Sequence, residues 1–279
     1  MGIVTLTTDF GSDSSDVAVL KGALLREVPD VKIVDITHAV RKFDVTEAAY
    51  HLAKSIPHFP PQTTHLVGVR SAHSESTPHR VGVRDGARIL AADTGIFALL
   101  GIDGVHHKLT NLSPEYTNRE PATFPELASF IPAAAHLARG GAPEALGHPA
   151  QAPVDAMPKE LTFDASTLTG EVVFVDGYGN AITNISRESF NSIGAGRPFT
   201  IHMRSSRMDI KKIQPRYSAV GVGERVAVFN SRGFLEIAVN NHRVPGGNGG
   251  ADTLLGLVRG TAVRITFGPE MPETGFFGI

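Results

Sequence analysis

Two short stretches of this chain each place a carboxylate beside turn residues. The first is Thr7-Thr8-Asp9-Phe10-Gly11, at the end of the first apolar run, and the second lies at 175–185 around Asp176 and Asn180. In open α/β sheets, ligands bind outside the carboxyl ends of the strands, so Asp9 is a candidate binding residue. Its carboxylate can accept two hydrogen bonds from a ribose diol. The alternative is that Asp9 only caps the turn that follows it.

The elements before residue 140 alternate between strand and helix patterns. Strands are predicted at 3–8, 32–37 and 65–69, and helices at 17–28 and 44–53. Asp85-Gly86 is typical of a hairpin turn between strands at 81–83 and 88–92. Thr123 and Glu126 form a capping-box pattern that opens a helix to about Arg139. Alternating elements predict an α/β N-terminal domain, residues 1–145, with a mostly parallel central sheet.

The pattern changes in the second half of the chain. Residues 141–158 are rich in Ala, Gly and Pro, and we assign 146–165 to a linker. Short strands separated by turns then predict a smaller, all-β, barrel-like C-terminal domain at 166–267. Only one short helix is predicted there, at 252–258. The tail at 268–279 receives no assignment.

Composition excludes several classes of function. The chain has 279 residues with Lys+Arg 26 against Asp+Glu 28, so no basic excess favours nucleic acid or a membrane surface as a partner. It contains no Cys, which excludes disulfides, thiolate catalysis and Cys-based metal sites. It has no apolar run of about 18 residues and no signal-peptide pattern, so we expect a cytoplasmic protein.

The order and spacing of the motifs resemble one family. Further segments that carry the resemblance are Lys21-Gly22, Val34-Asp35-Ile36-Thr37-His38, Ala92-Asp93-Thr94-Gly95, residues 133–138 and Asn230-Ser231-Arg232-Gly233. Together, over about 1–267, they resemble the S-adenosylmethionine (SAM) hydroxide adenosyltransferases, or SAM hydrolases, which are related to the SAM-dependent fluorinase and chlorinase. The resemblance implies hydrolysis of SAM to adenosine and methionine without a metal or cofactor. It also implies a homotrimer whose sites lie between subunits.

The resemblance also implies roles for particular side chains. Asp9 would hold the ribose hydroxyls, Asp176 and Asn180 would lie at the methionine end, and Ser231 with Arg232 would bind the methionine carboxylate. The remaining substrate-binding candidates are Phe10, Phe43, Thr123, Phe124 and Asn241, the last through its main chain. Each has a plainer alternative: the aromatic residues as core, Asp176 and Asn180 as ordinary turn residues, and Arg232 as a solvated surface residue.

The chain departs from the family at the side chains that hold the attacking water. Arg70 stands where the family has an Asp, and Pro125 stands where it has a His. Arg70 and three neighbours in the same loop are therefore our catalytic candidates: His73, His79 and Arg80. Histidine is the natural base because its pKa lies near neutrality. Glu126 is interpreted first as the third capping-box residue and second as a catalytic group.

Several functions remain open at this point. The leading hypothesis is a displacement by water at the 5′ carbon of SAM, in which alignment and desolvation of the nucleophile matter most. The alternative is a protein that binds SAM or adenosine without turnover. A halogenase is disfavoured because Glu126 would repel a halide, and metal-dependent hydrolysis because no His pair has ligand spacing. The glycine spacing of methyltransferase and nicotinamide sites is absent.

Overall fold

The chain divides into two compact units, Met1–Pro158 and Lys159–Ile279. A computed structural model describes residues 2–102, 106–110, 124–150, 160–203, 205–240 and 249–269. Within those ranges, no helix combines the length and the apolar character needed to cross a membrane.

The first unit is built on a seven-stranded sheet. Its strands are β1 (Ile3–Thr8), β2 (Lys32–Thr37), β3 (Thr64–Gly68), β4 (His79–Arg84), β5 (Ala87–Ala92), β6 (His106–Leu109) and β7 (Gly147–Pro149). They lie in the order β2-β1-β3-β5-β4-β6-β7. Apolar side chains fill both faces, with Leu6 and Leu66 in one cluster and Ile89 and Phe97 in another. Burial on both faces is typical of an α/β sheet.

The sheet is mixed, which corrects the expectation of a mostly parallel one. Strands β2, β1, β3 and β5 pair in parallel. In the described part of the chain, the three remaining neighbouring pairs are antiparallel. The predicted hairpin produces the first of these: Asp85 and Gly86 have φ of 50° and 81°, the positive values that a tight two-residue hairpin turn needs. The carboxyl ends of the parallel strands β2, β1, β3 and β5 therefore form the edge of the sheet at which ligands are expected.

In the described part of the first unit, the helices are α1 (Asp16–Glu27), α2 (Val45–Ser55), α3 (Ile96–Leu99) and α4 (Ile131–Ala138). The predicted cap at Asp44 is confirmed, because its carboxylate accepts the backbone N–H of Glu47 at 3.0 Å. Helix α1 buries Leu20 and Leu24 in the same cluster as the apolar face of α4. These contacts fix α1 and α4 on one face of the sheet.

Helix α4 is entered through a π-helical segment, Glu126–Phe130. The N–H of Ile131 donates to the carbonyl of Glu126, five residues earlier. Pro132, next along the chain, has no N–H to continue an α-helical ladder. Segments of this kind often occur at functional sites. The predicted helix to about Arg139 is thus present, but its first turn has a different pitch.

The second unit is mainly β structure. Its strands are β8 (Thr162–Phe163), β9 (Thr167–Val175), β10 (Ala181–Ser186), β11 (Phe199–His202), β12 (Arg225–Phe229), β13 (Phe234–Val239) and β14 (Ala262–Phe267). Their order is β11-β14-β9-β10-β13-β12, with β8 beside β9. The long strand β9 pairs with β14 through its first half and with β10 through its second half. This change of partner curls the sheet into a half-barrel.

The second unit also contains a helix that the sequence analysis did not predict. Helix α5 (Arg187–Gly194) begins at Ser186, whose side chain accepts the N–H of Ser189 at 2.9 Å. Its Phe190 packs edge-on against Phe199 and Phe267. The domain is therefore not all β. The short helix predicted at 252–258 lies at α6 (Ala251–Leu254).

The stretch assigned to a linker, 146–165, contains paired strands at both ends. Strand β7 pairs with β6 in the first sheet, and β8 pairs with β9 in the second. Residues 151–159 of the linker and 270–279 of the tail lie outside the described residues.

Candidate functional site

Asp9 lies at the carboxyl edge of the parallel strands, directly after β1. It is 8% exposed, and its Oδ2 accepts the backbone N–H of Phe43 at 2.7 Å. The ammonium of Lys42 donates to the main-chain oxygen of Asp9 at 2.6 Å. A carboxylate has about four acceptor sites, so one bond from Phe43 leaves capacity for two hydroxyl groups. Asp9 is thus held in place while it can still bind a diol.

Phe43 is unusual in both conformation and exposure. Its φ is 63°, in the left-handed region, and its side chain is 70% exposed. A bulky residue rarely adopts this conformation, which costs of order 1–3 kcal/mol and occurs preferentially at ligand sites. The hydrogen bond to Asp9 maintains it here. The structure therefore excludes the core interpretation of Phe43 and presents its ring at the edge where Asp9 lies.

A pair of aromatic rings also lies beside Asp9. Phe10 and Phe124 meet edge to face, with ring centroids 5.7 Å apart. Phe10 also packs against the first core cluster. Thr123, predicted to bind substrate, lies outside the described residues. Two of the predicted aromatic residues therefore meet, one just after β1 and the other just before the π-helical segment.

Glu126, interpreted from the sequence first as a capping-box residue and only second as a catalytic group, lies at the same edge. It is 1% exposed, and its Oε1 accepts a short hydrogen bond from the hydroxyl of Ser71. Burial raises the pKa of Glu126 above its ordinary value of 4.5, Ser71 opposes that rise, and the charges of Asp9 and Asp16 add to it. A buried carboxyl with a raised pKa is a functional-site candidate. The capping-box pattern did not indicate a site role for Glu126, because a Glu in such a pattern ordinarily lies at a helix surface.

The four predicted catalytic residues lie in different environments, two in the loop that follows β3 and two at the start of β4. Arg70 and His73 are exposed, and Arg70 has a left-handed backbone with φ of 49°. His79 is 2% exposed; its Nε2 lies 2.8 Å from the carbonyl of Ser71. Burial lowers the pKa of His79 to about 4. His79 is therefore neutral near pH 7 and holds the loop through Ser71.

Arg80 forms a buried ion pair. Its Nη2 lies 3.0 Å from Oδ2 of Asp93, with side-chain exposures of 9% and 0%. Asp93 follows β5, and its backbone N–H donates to the carbonyl of Pro78 at 2.9 Å. The pair thus joins the start of β4 to the end of β5. This contact gives Arg80 a structural role, and its catalytic role stays a prediction.

In the second unit, Asp176 organises the turn between β9 and β10. Its Oδ1 accepts the backbone N–H groups of Tyr178 and Asn180, both at 2.9 Å, and its Oδ2 accepts the Asn180 side-chain amide at 3.1 Å. Gly179, at φ 78°, packs so closely that a Cβ would lie 2.4 Å from Asp252 Oδ1. The motif therefore has a turn-forming role, and Asp176 keeps about one acceptor site for a ligand.

Ser231 and Arg232 occupy a different turn, between β12 and β13. Strands β10 and β13 are antiparallel, with Ala181 opposite Ile237 and Ser186 opposite Phe234. The Asp176 turn is therefore at one end of this strand pair and the Ser231 turn at the other. Between these two pairs, β13 advances three residues, from Phe234 to Ile237, which is roughly 10 Å.

Asp176 and Asn180 lie beside the end of β13 that leads to Asn240, away from the Ser231 turn. The expectation that both turns contact the methionine end of a ligand stays a prediction. Arg232 packs its guanidinium 5.1 Å from the ring centroid of Phe234. Asn241 lies outside the described residues.

The remaining prediction about the site concerns metals. Within the described residues, no three histidine or acidic side chains are grouped so that they could hold a metal ion.

Models of two known protein domains match this chain. The model of the SAM hydroxide adenosyltransferase N-terminal domain matches residues 4–147, and that of the C-terminal domain matches residues 170–264. The chain belongs to the SAM hydroxide adenosyltransferase family. The resemblance stated from the motifs is thereby confirmed.

Similar proteins cover about 95% of this chain. An (R)-S-adenosyl-L-methionine hydrolase from Thermus thermophilus is 29% identical, covering 94% of this chain and 98% of the relative. One from Salinispora tropica is 30% identical, covering 95% and 98%. The crystal structure of an uncharacterized conserved protein from Thermotoga maritima is 27% identical, with a TM-score of 0.81 over 95% of this chain and 99% of that one.

Proposed function

We propose that this adenosyltransferase hydrolyses SAM at the ribose 5′ carbon, producing adenosine and methionine. The observation that carries the proposal is Asp9, a buried carboxylate at the carboxyl edge of the sheet with capacity for a diol. Full-length relatives named as SAM hydrolases support the same reaction.

The leaving group needs little stabilisation by the protein. The sulfonium of SAM is already positive, so methionine leaves as a neutral thioether. The protein must instead align and desolvate the nucleophile. No cofactor is part of this proposal.

We assign binding roles from the contacts at the two sets of turns. Asp9 binds the ribose hydroxyls, and the rings of Phe10, Phe43 and Phe124 contact the adenosine. In the second unit, Ser231 and Arg232 bind the methionine carboxylate, since guanidinium matches the carboxylate geometry. Asp176 and Asn180, in the turn at the other end of the β10–β13 pair, bind at the methionine end, as the resemblance implies.

Assembly and location belong to the same proposal. We propose the homotrimer, with sites between subunits, that the resemblance implies, and a cytoplasmic location. Sedimentation equilibrium and cell fractionation test them: a monomer at micromolar concentration would contradict the first, and a membrane-pellet protein the second.

The first experiment is incubation of the purified protein with SAM in halide-free buffer, followed by chromatography. Equimolar adenosine and methionine are expected. The second candidate, binding without turnover, is favoured by Arg70 and Pro125 at the positions of the usual water-site side chains. It is the outcome if calorimetry detects SAM but no product forms. Loss of SAM that requires added halide would indicate halogenation instead.

Replacing Phe43 with alanine tests the role of the exposed ring. We expect SAM to bind about fivefold more weakly, since base–aromatic stacking contributes about 1 kcal/mol or more. The free energy of unfolding should change by less than about 0.5 kcal/mol because the ring is exposed. Calorimetry and urea unfolding measure the two effects. Leu25→Ala, on the exposed side of α1, should change neither; unchanged binding in Phe43→Ala would remove the ring from the site.

A further inference from the structure

Glu126 and Ser71 converge on the edge at which Asp9 lies. Thr8 and Gly68 are paired at the ends of β1 and β3, so Asp9 and Val69 leave the sheet side by side. A methyl group built on Gly68 would lie 3.1 Å from Glu126 Oε1, 3.2 Å from Phe10 and 3.2 Å from Thr8. The carboxyl of Glu126 therefore sits over the end of β3, against the residues that flank Asp9.

The Ser71–Glu126 pair is held from two directions. The carbonyl of Ser71 lies 2.8 Å from Nε2 of His79. The His79 ring packs on Phe130 with centroids 4.5 Å apart, and Phe130 ends the π-helical segment that Glu126 begins. The loop that holds Ser71 and the π-helical segment that begins at Glu126 are thus packed together through His79 and Phe130. The side chains of Ser71 and Glu126 are therefore preorganised.

We propose that Glu126 and Ser71 bind the attacking water, and that Glu126 accepts its proton. The proposal rests on the hydrolysis proposed above, and it identifies the groups that replace the usual water-site side chains. A lone pair of the water oxygen forms the bond to the 5′ carbon as the carbon–sulfur bond breaks. The electron pair of that bond goes to sulfur, and the water proton passes to Glu126 and then to solvent.

The surrounding charges suit Glu126 to this role. Burial raises its pKa, and the carboxylates of Asp9 and Asp16 add to the rise, while Ser71 lowers it. A general base works best when its pKa lies close to the operating pH. The nearby His79 is neutral there because burial lowers its pKa to about 4. Since Glu126 must be ionised to accept a proton, turnover falls as pH drops through its raised pKa.

The test compares the wild type with Glu126→Gln and Ser71→Ala by adenosine formation between pH 5 and 8. We expect Glu126→Gln to lower kcat about 100-fold or more, with KM within about threefold. The acid limb of the wild-type profile should disappear in this variant. Ser71→Ala should shift that limb to higher pH, because the hydroxyl that lowers the Glu126 pKa is gone. A merely structural contact would not move the limb.

Controls separate this inference from folding and from the proposed function. Glu144→Gln, on an exposed glutamate of the first unit, should keep the wild-type profile. Circular dichroism at each pH is needed, because burial lowers the pKa of both His65 and His79 to about 4 and the fold loses stability below the ordinary histidine value. A folded Glu126→Gln that retains kcat and the acid limb overturns the inference alone. A wild type that forms no adenosine overturns the proposed function as well.

Discussion

Replacing Asp93 with asparagine is expected to lower the free energy of unfolding of the first unit by about 3–5 kcal/mol. The carboxylate of Asp93 is fully buried 3.0 Å from the Arg80 guanidinium. Asparagine keeps the shape but leaves the charge of Arg80 buried without its carboxylate. The penalty is that of a buried guanidinium that has lost this carboxylate, rather than the value of the pair itself.

The same hairpin provides a matched control. Asp85 pairs with Arg84 at 3.4 Å, but its side chain is 87% exposed. Asp85→Asn should change stability by less than about 0.5 kcal/mol, because exposed pairs contribute little and asparagine tolerates the turn. Urea unfolding reports the total effect. Hydrogen exchange at β4 and β5 localises it, since two units need not unfold together.

A double variant tests the origin of the loss. Arg80→Met with Asp93→Asn removes both charges and should recover part of the stability of Asp93→Asn. Stability of Asp93→Asn within about 1 kcal/mol of wild type would contradict the ion-pair account. Because Arg80 is also a catalytic prediction, turnover by the folded double variant would assign it a structural role only.

Replacing Asp9 with asparagine is expected to weaken SAM binding about 10- to 100-fold. Hydrogen bonds to a charged group contribute about 1.5–3 kcal/mol, and the amide loses the charge while keeping one acceptor oxygen. That oxygen still accepts the N–H of Phe43, so the loop geometry should be retained. The variant therefore isolates the ribose contact from the positioning of Phe43.

Calorimetry with SAM and with adenosine measures this effect. Both ligands carry the diol, so both should weaken by a similar factor. Asp30→Asn, an exposed aspartate in the turn before β2, should bind like the wild type. Equal affinity in Asp9→Asn, with an unchanged fold, would assign Asp9 to the turn alone.

Local patterns predicted most elements of the first unit. Alternating apolar residues predicted β1 to β3, and the Asp85-Gly86 pair predicted the hairpin between β4 and β5. Both signals depend on residues that are close in sequence. The pairing of β4 with β6 and of β6 with β7 depends on distant partners, so the mixed sheet was not predicted. Helix α5 was missed because its eight residues carry few apolar positions; Phe190 within the aromatic cluster stabilises it.

The candidate site was predictable only in part. Asp9 could be placed from the strand that precedes it. The contact of Ser71 with Glu126 joins residues 55 positions apart and requires the fold that brings a loop after β3 against the π-helical segment. The exposure of Phe43 could not be predicted either, since it follows from a left-handed backbone held by Asp9.

The π-helical segment holds one residue more than an α-helix would place between Glu126 and Ile131. The carbonyl of Glu126 accepts the N–H of Ile131, five residues further on, whereas the equivalent bond of an α-helix joins residues four apart. Both bonds close about one turn, so Glu126 has nearly the same rotational phase as in an α-helix that is one residue shorter. Deleting one residue between 127 and 130 should therefore keep both the direction of this carboxyl toward Ser71 and the apolar face of α4 on the sheet.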